Sequence, residues 1–146
     1  MGRNKLISLL MTALICCLLL SGSCKKSDPD PLYPWLTGIY RGTTSQNDTI
    51  AMEVGNIQGI LYITMMKLNY RIPGGGTDRV LMADPDGLTS LSTTFFSLPI
   101  NTSPHRSFID GNFNLNNMTV TGTFKMYSNS HPDNPATGNY TAIKIK

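Results

Sequence analysis

Met118-Thr119-Val120-Thr121-Gly122-Thr123-Phe124-Lys125-Met126-Tyr127 alternates without a break between two kinds of residue. Met118, Val120, Gly122, Phe124 and Met126 put apolar or small groups on one side, while threonines, Lys125 and Tyr127 take the other. In a pleated strand successive side chains point to opposite faces, so a period of two reads as a half-buried β-strand. The period recurs on both sides of this stretch. Ile50, Met52 and Val54 alternate with Thr49, Ala51 and Glu53, and Thr141, Ile143 and Ile145 alternate with Ala142, Lys144 and Lys146. Ile60-Leu61-Tyr62-Ile63-Thr64-Met65-Met66 is apolar on both faces, which predicts a central strand or one whose outward face meets a partner.

Turn chemistry separates these runs. Gly55-Asn56 and Asn116-Asn117 tolerate positive φ and predict hairpin turns. Asp84-Pro85-Asp86-Gly87 links Val80–Ala83 to the region after it, Gly74-Gly75-Gly76 is a flexible loop, and 128–138 reads as the longest polar connection. The spacing predicts an all-β domain over 35–146: a small antiparallel up-and-down barrel, or a β-sandwich, of about eight strands. Gly38-Ile39-Tyr40, Gly111-Asn112-Phe113, Gly122-Thr123-Phe124 and Gly138-Asn139-Tyr140 repeat a Gly-x-aromatic pattern. Glycine within a strand permits a sharp bend, and the next inward aromatic covers the space it leaves. Glu53 is the sole glutamate of the chain, which argues against a helical bundle with solvated faces.

The N-terminus carries an address. Arg3 and Lys5 precede an uncharged apolar run, Leu6 to Leu20, and then Ser21-Gly22-Ser23-Cys24. Positive, apolar, then small is the order of a secretory signal, and the run is shorter than the ~20 apolar residues of a spanning helix. Ser21-Gly22-Ser23-Cys24 resembles the lipobox of bacterial lipoproteins, in the looser form typical of the Bacteroidetes group, with Ser21 where most lipoboxes carry Leu. Lys25-Lys26-Ser27-Asp28-Pro29-Asp30 is similar to the segments that send lipoproteins of that group to the cell surface. The resemblance implies removal of signal peptide 1–23, acylation of Cys24, and an outer-membrane, lipid-anchored protein of the cell envelope, on its periplasmic or its surface leaflet. Residues 24–34 then form a proline-rich tether. Cys16 and Cys17 leave with the signal, so no thiol or disulfide remains. Without Arg3 and Lys5 the rest of the chain is nearly neutral, which gives no footing for nucleic acid.

Trp35-Leu36-Thr37-Gly38-Ile39-Tyr40-Arg41-Gly42 resembles the first strand of small lipocalin-like lipoproteins. Gly122-Thr123-Phe124 and the closing Gly138-Asn139-Tyr140-Thr141-Ala142-Ile143 are similar to their later strands. In lipocalins the first strand opens with Gly-x-Trp; here Gly38-x-Tyr40 stands in that place. The resemblance implies an antiparallel barrel with an apolar cup and names no ligand.

Catalytic and metal motifs are sparse. His105 and His131 both sit beside proline, and His131 with Asp133 supplies two of the three or four ligands that zinc requires. Asp84-x-Asp86-Gly87 starts like a calcium loop but lacks the later acceptors, so it reads as a turn. Neither a nucleophile elbow nor a phosphate-binding loop is present. Asp48-Thr49-Ile50 resembles the O-glycan acceptor of exported Bacteroidetes proteins, with Thr49 as the acceptor. Tyr40, Tyr62, Met66, Phe95 and Phe124 are the candidate lining of a ligand cavity.

The expected function is therefore a non-enzymatic, cofactor-free, metal-free envelope module that binds a small apolar or amphipathic ligand or a glycan fragment. The competing expectation is a structural or accessory subunit that docks on an envelope protein through an outer patch at Leu61, Ile63 and Met65. A small hydrolase ranks third. A binder needs an apolar cavity of ~300 Å³ or more, and an accessory subunit needs a filled core instead.

Overall fold

The computed structural model describes residues 33–101, 106–128 and 131–146. The signal peptide, Cys24, most of the tether and His105 lie outside the described residues. A single 3₁₀ turn, Pro34–Leu36, leads into β1 (Gly38–Thr44), β2 (Thr49–Ile57), β3 (Ile60–Arg71), β4 (Thr77–Ala83) and the two-residue β5 (Thr89–Ser90). The chain continues through β6 (Phe95–Asn101), β7 (Arg106–Asn114), β8 (Thr119–Ser128) and β9 (His131–Lys144).

All pairings are antiparallel, in the order β4-β3-β2-β1-β9-β8-β7-β6, with β5 also on β3. Two four-strand meanders are thus joined where the first strand meets the last. The eight-strand sheet curls into a half-barrel whose edges are β4 and β6. Thr89 Oγ1 donates to Ser97 O at 3.0 Å, linking β5 to β6 across the open side.

The alternation read from the sequence sets which face goes inside. Along β8, Val120, Phe124 and Met126 are buried, while Thr121 and Thr123 face solvent. The inward residues of all the long strands merge into one core with Tyr40, Met52, Ile63, Phe96, Ile109 and Tyr140 among them. Leu36 plugs the end of the half-barrel where β1 begins, and Tyr40 Oη donates to Leu36 O at 2.9 Å.

The both-faced run of β3 has a different cause from the one expected. Glu53 pairs Met65 and Val54 pairs Ile63, so Thr64 is an extra residue in a β-bulge. The bulge reverses the phase of the strand. Leu61 and Ile63 before it, and Met66, Leu68 and Tyr70 after it, all point into the core. The outer patch expected at Leu61, Ile63 and Met65 is therefore corrected: only Met65 lies outside, half-buried.

Two expected connections move as well. The β2–β3 turn is Gln58-Gly59, not Gly55-Asn56, with φ of 53° and 83° and Ile57 opposite Ile60. Asn56 still serves it, because its Oδ1 accepts from Gly59 N at 2.9 Å. The stretch 128–138 is mostly strand: β9 runs from His131 and pairs β8 as far as Ser128. The Asn116-Asn117 turn and the Asp84–Gly87 turn stand where expected. In the latter, Gly87 N donates to Asp84 O at 3.0 Å.

Three of the four glycines of the repeated pattern are covered by a ring from the neighbouring strand, while a Cβ on Gly38 would meet the Lys146 backbone instead. Phe96 pairs Gly111, Tyr140 pairs Gly122, and Phe124 pairs Gly138. A Cβ on Gly111 would collide with the Phe96 ring, and one on Gly138 would stand 2.6 Å from Phe124 Cζ. At Gly111, Gly122 and Gly138 the missing side chain is the seat of a ring, which lets a strongly curled sheet close on bulky aromatics.

Candidate functional site

Three surfaces can be weighed: the interior, the end where β1 leaves the core, and the outer face. The interior holds Tyr40, Met66 and Phe124, at 0%, 0% and 2% exposure. A cavity able to admit a water-sized sphere would leave accessible surface on its lining. These three have none to offer a ligand, so they are core. Phe113 meets the Tyr40 ring edge-on at 5.3 Å between centroids and the Phe96 ring at 6.0 Å. Tyr62 and Phe95, the other two sequence candidates, lie elsewhere. Tyr62 faces outward against Gly87, and Phe95 is largely exposed at the start of β6. The five do not form one site.

The tyrosine hydroxyls inside the half-barrel are committed. Tyr140 Oη donates to Asp110 O at 2.9 Å and Tyr70 Oη donates to Asp78 Oδ2 at 3.0 Å. Burial pushes the Tyr40 hydroxyl up to about 12. Burial raises Tyr70 further, helped by its bond to Asp78 and that carboxylate's charge, and raises Tyr140 together with the charge of Asp110. All three stay protonated donors at neutral pH, which makes them structural pins.

At the far end, Ser45, Gln46, Asn47, Arg71, Ile72, Pro73 and the 135–137 segment of β9 line a groove of about 500 Å³. Gln46 fixes it. Its Nε2 donates to Thr137 O at 3.1 Å, and its Oε1 accepts from Arg71 N at 2.7 Å. Arg71 Nε lies 3.4 Å from Asp48 Oδ2, an ion pair at the groove's side without hydrogen-bond geometry. Three segments distant in the chain build this groove, and no motif marks Gln46 in the sequence, while Arg71 flanks the Gly74-Gly75-Gly76 loop. The arrangement offers amide, guanidinium and hydroxyl groups to a polar ligand.

No family model matches the chain, and neither does any curated protein or solved structure.

On the outer face, Ile39, Arg41, Thr49, Ala51, Met65 and Lys67 are among the residues around a second groove of about 440 Å³. Thr49, the candidate glycan acceptor, is exposed at the start of β2, and its Oγ1 accepts from Asn69 Nδ2 at 2.6 Å. His131 and Asp133 open β9, and the His131 ring approaches Gly74. Among the described residues no three His, Cys, Asp or Glu side chains stand together as a metal site. None of the helices among them is long and apolar enough to cross a membrane.

Proposed function

We propose that this chain is a lipid-anchored module of the bacterial cell envelope, held in the outer membrane through Cys24, that works as a structural or accessory subunit through its outside. One observation carries the choice between the two expected functions. The interior, where a lipocalin-like binder would hold its ligand, is filled by side chains with almost no accessible surface. The groove beside Gln46 and Arg71 supports a second reading, a glycan fragment held at the polar end.

The test is affinity purification of the full chain from its host's membranes, followed by native mass spectrometry. The proposal expects an envelope protein at fixed stoichiometry. A stoichiometric small apolar molecule, with no protein partner, would return the reading to a ligand-binding barrel; a bound oligosaccharide would favour the second reading. Cys24→Ala tests the anchor: it should abolish acylation and release the protein in soluble form.

A further inference from the structure

We propose that the end of the half-barrel from which the N-terminal chain emerges is seated in the lipid surface, with Trp35 at its interface, rather than standing clear of it on the tether. The inference rests on the acylation of Cys24 proposed above and goes beyond it by fixing the domain's height and orientation.

The antiparallel order brings particular strand ends together. Where β1 starts, β3 and β6 also start, and β9 finishes. Ile60 opens β3, Phe95 opens β6, and Ile143 and Ile145 close the chain beside them. With Trp35, these make five of the six large apolar side chains that the described residues leave exposed, at 45–54%. The sixth, Leu81, is on edge strand β4. The opposite end shows Ser45, Gln46, Asn47 and the glycines of 74–76 instead. Among the described residues the exposed large apolar side chains gather toward the first end, beside the polar turn residues Gln58, Asn116 and Asn117, and the opposite end shows none.

Chain length then selects the occupant. Eight residues lie between Cys24 and Tyr33, nine steps along the chain and a reach of at most ~30 Å. The structure picks up the chain at Tyr33, at the apolar end. A strand of ten residues adds ~33 Å to the polar end, so the polar end can meet the bilayer only if the domain turns over. The apolar end needs no such turn. Tryptophan and aliphatic side chains favour the headgroup boundary, where an apolar body and a polar tip are both satisfied. Asp84 and Asp86 lie toward the same end and balance Lys144, whose Nζ donates to Trp35 O, and Lys146, so the attraction is apolar rather than electrostatic.

Trp35 is the sole tryptophan of the chain, which makes it a built-in depth probe. The acylated full chain is reconstituted in phosphatidylcholine vesicles with and without bromine on the lipid acyl chains. Seating predicts that brominated lipid cuts Trp35 emission by about half, and that Ile143→Asp with Ile145→Asp restores it while the domain stays folded. Unquenched Trp35 in protein whose acylation is verified by mass spectrometry overturns the seating and leaves the anchor intact. A chain without acyl groups on Cys24 overturns the anchor and the seating with it. Trp35 shielded from iodide in native membranes yet unquenched in vesicles means that a protein covers this end, which also overturns the proposal.

Discussion

Replacing Gly138 by alanine tests the pairing of aromatic rings with cross-strand glycines. The new Cβ would stand 2.6 Å from Phe124 Cζ, 2.7 Å from Cε1 and 2.8 Å from Ser45 Oγ. Carbon atoms pack best at roughly 3.5–4.0 Å, so the ring must retreat by about an ångström. Ser45 is exposed and can rotate at the loss of its bond from Asn139 N, but Phe124 is at 2% exposure with Gly138 directly opposite in the ladder. Overpacking of this kind costs about 1–3 kcal/mol. Phe124→Leu alone should cost roughly 1–3 kcal/mol by leaving space over Gly138. In the double variant the alanine methyl enters that space, so the two costs should not add. A double-mutant cycle by urea unfolding should return a favourable coupling of about 1 kcal/mol or more. Costs that add to within about 0.5 kcal/mol would refute the claim that the ring occupies the glycine's missing side chain.

Tyr140→Phe should lower stability by roughly 0.5–1.5 kcal/mol in the same assay, because it removes the bond to Asp110 O and little volume. The Tyr40 hydroxyl is pushed up to about 12 in the fold from an unfolded value near 10. Its stabilising part is complete below pH 10 and lost as pH rises through 12, and Tyr70 and Tyr140 act in the same direction. Tyrosine absorbance should therefore show a late-titrating set that merges with the early one on unfolding. Gln58→Asn should stabilise the fold by about 0.5–1 kcal/mol at the midpoint and so raise the melting temperature, since asparagine tolerates the left-handed conformation that Gln58 adopts at 53°. Unchanged or lower melting would contradict the turn.

The strand period was legible because each long strand has one core face; Met118–Tyr127 alone is enough to argue for a β fold. What escaped the sequence did so for physical reasons. Gln58 is no turn former, so the better turn pair Gly55-Asn56 misled, although Gly55 sits within β2 because a Cβ there would crowd Thr64. Thr64 itself carries no mark of a bulge, and an apolar run on both faces looks the same whether a strand is doubly buried or shifts phase. The start of β9 is rich in polar residues and proline, yet β1 pairs it only from Tyr140 onward. Its earlier part is a local sheet edge, where Pro132 and Pro135 do not interrupt a second ladder. The candidate ligand residues were chosen by type, and type cannot separate a cavity wall from a core. The groove around Gln46 and Arg71 was invisible because only topology brings its three segments together.

The filled interior separates an accessory subunit from a ligand-holding barrel, and xenon reports on it most directly. Apolar cavities of sufficient size take up xenon in pressurised crystals. The account predicts no xenon site among Tyr40, Met66 and Phe124 inside the half-barrel. An ordered interior xenon atom against these side chains would contradict it and restore the ligand-holding barrel.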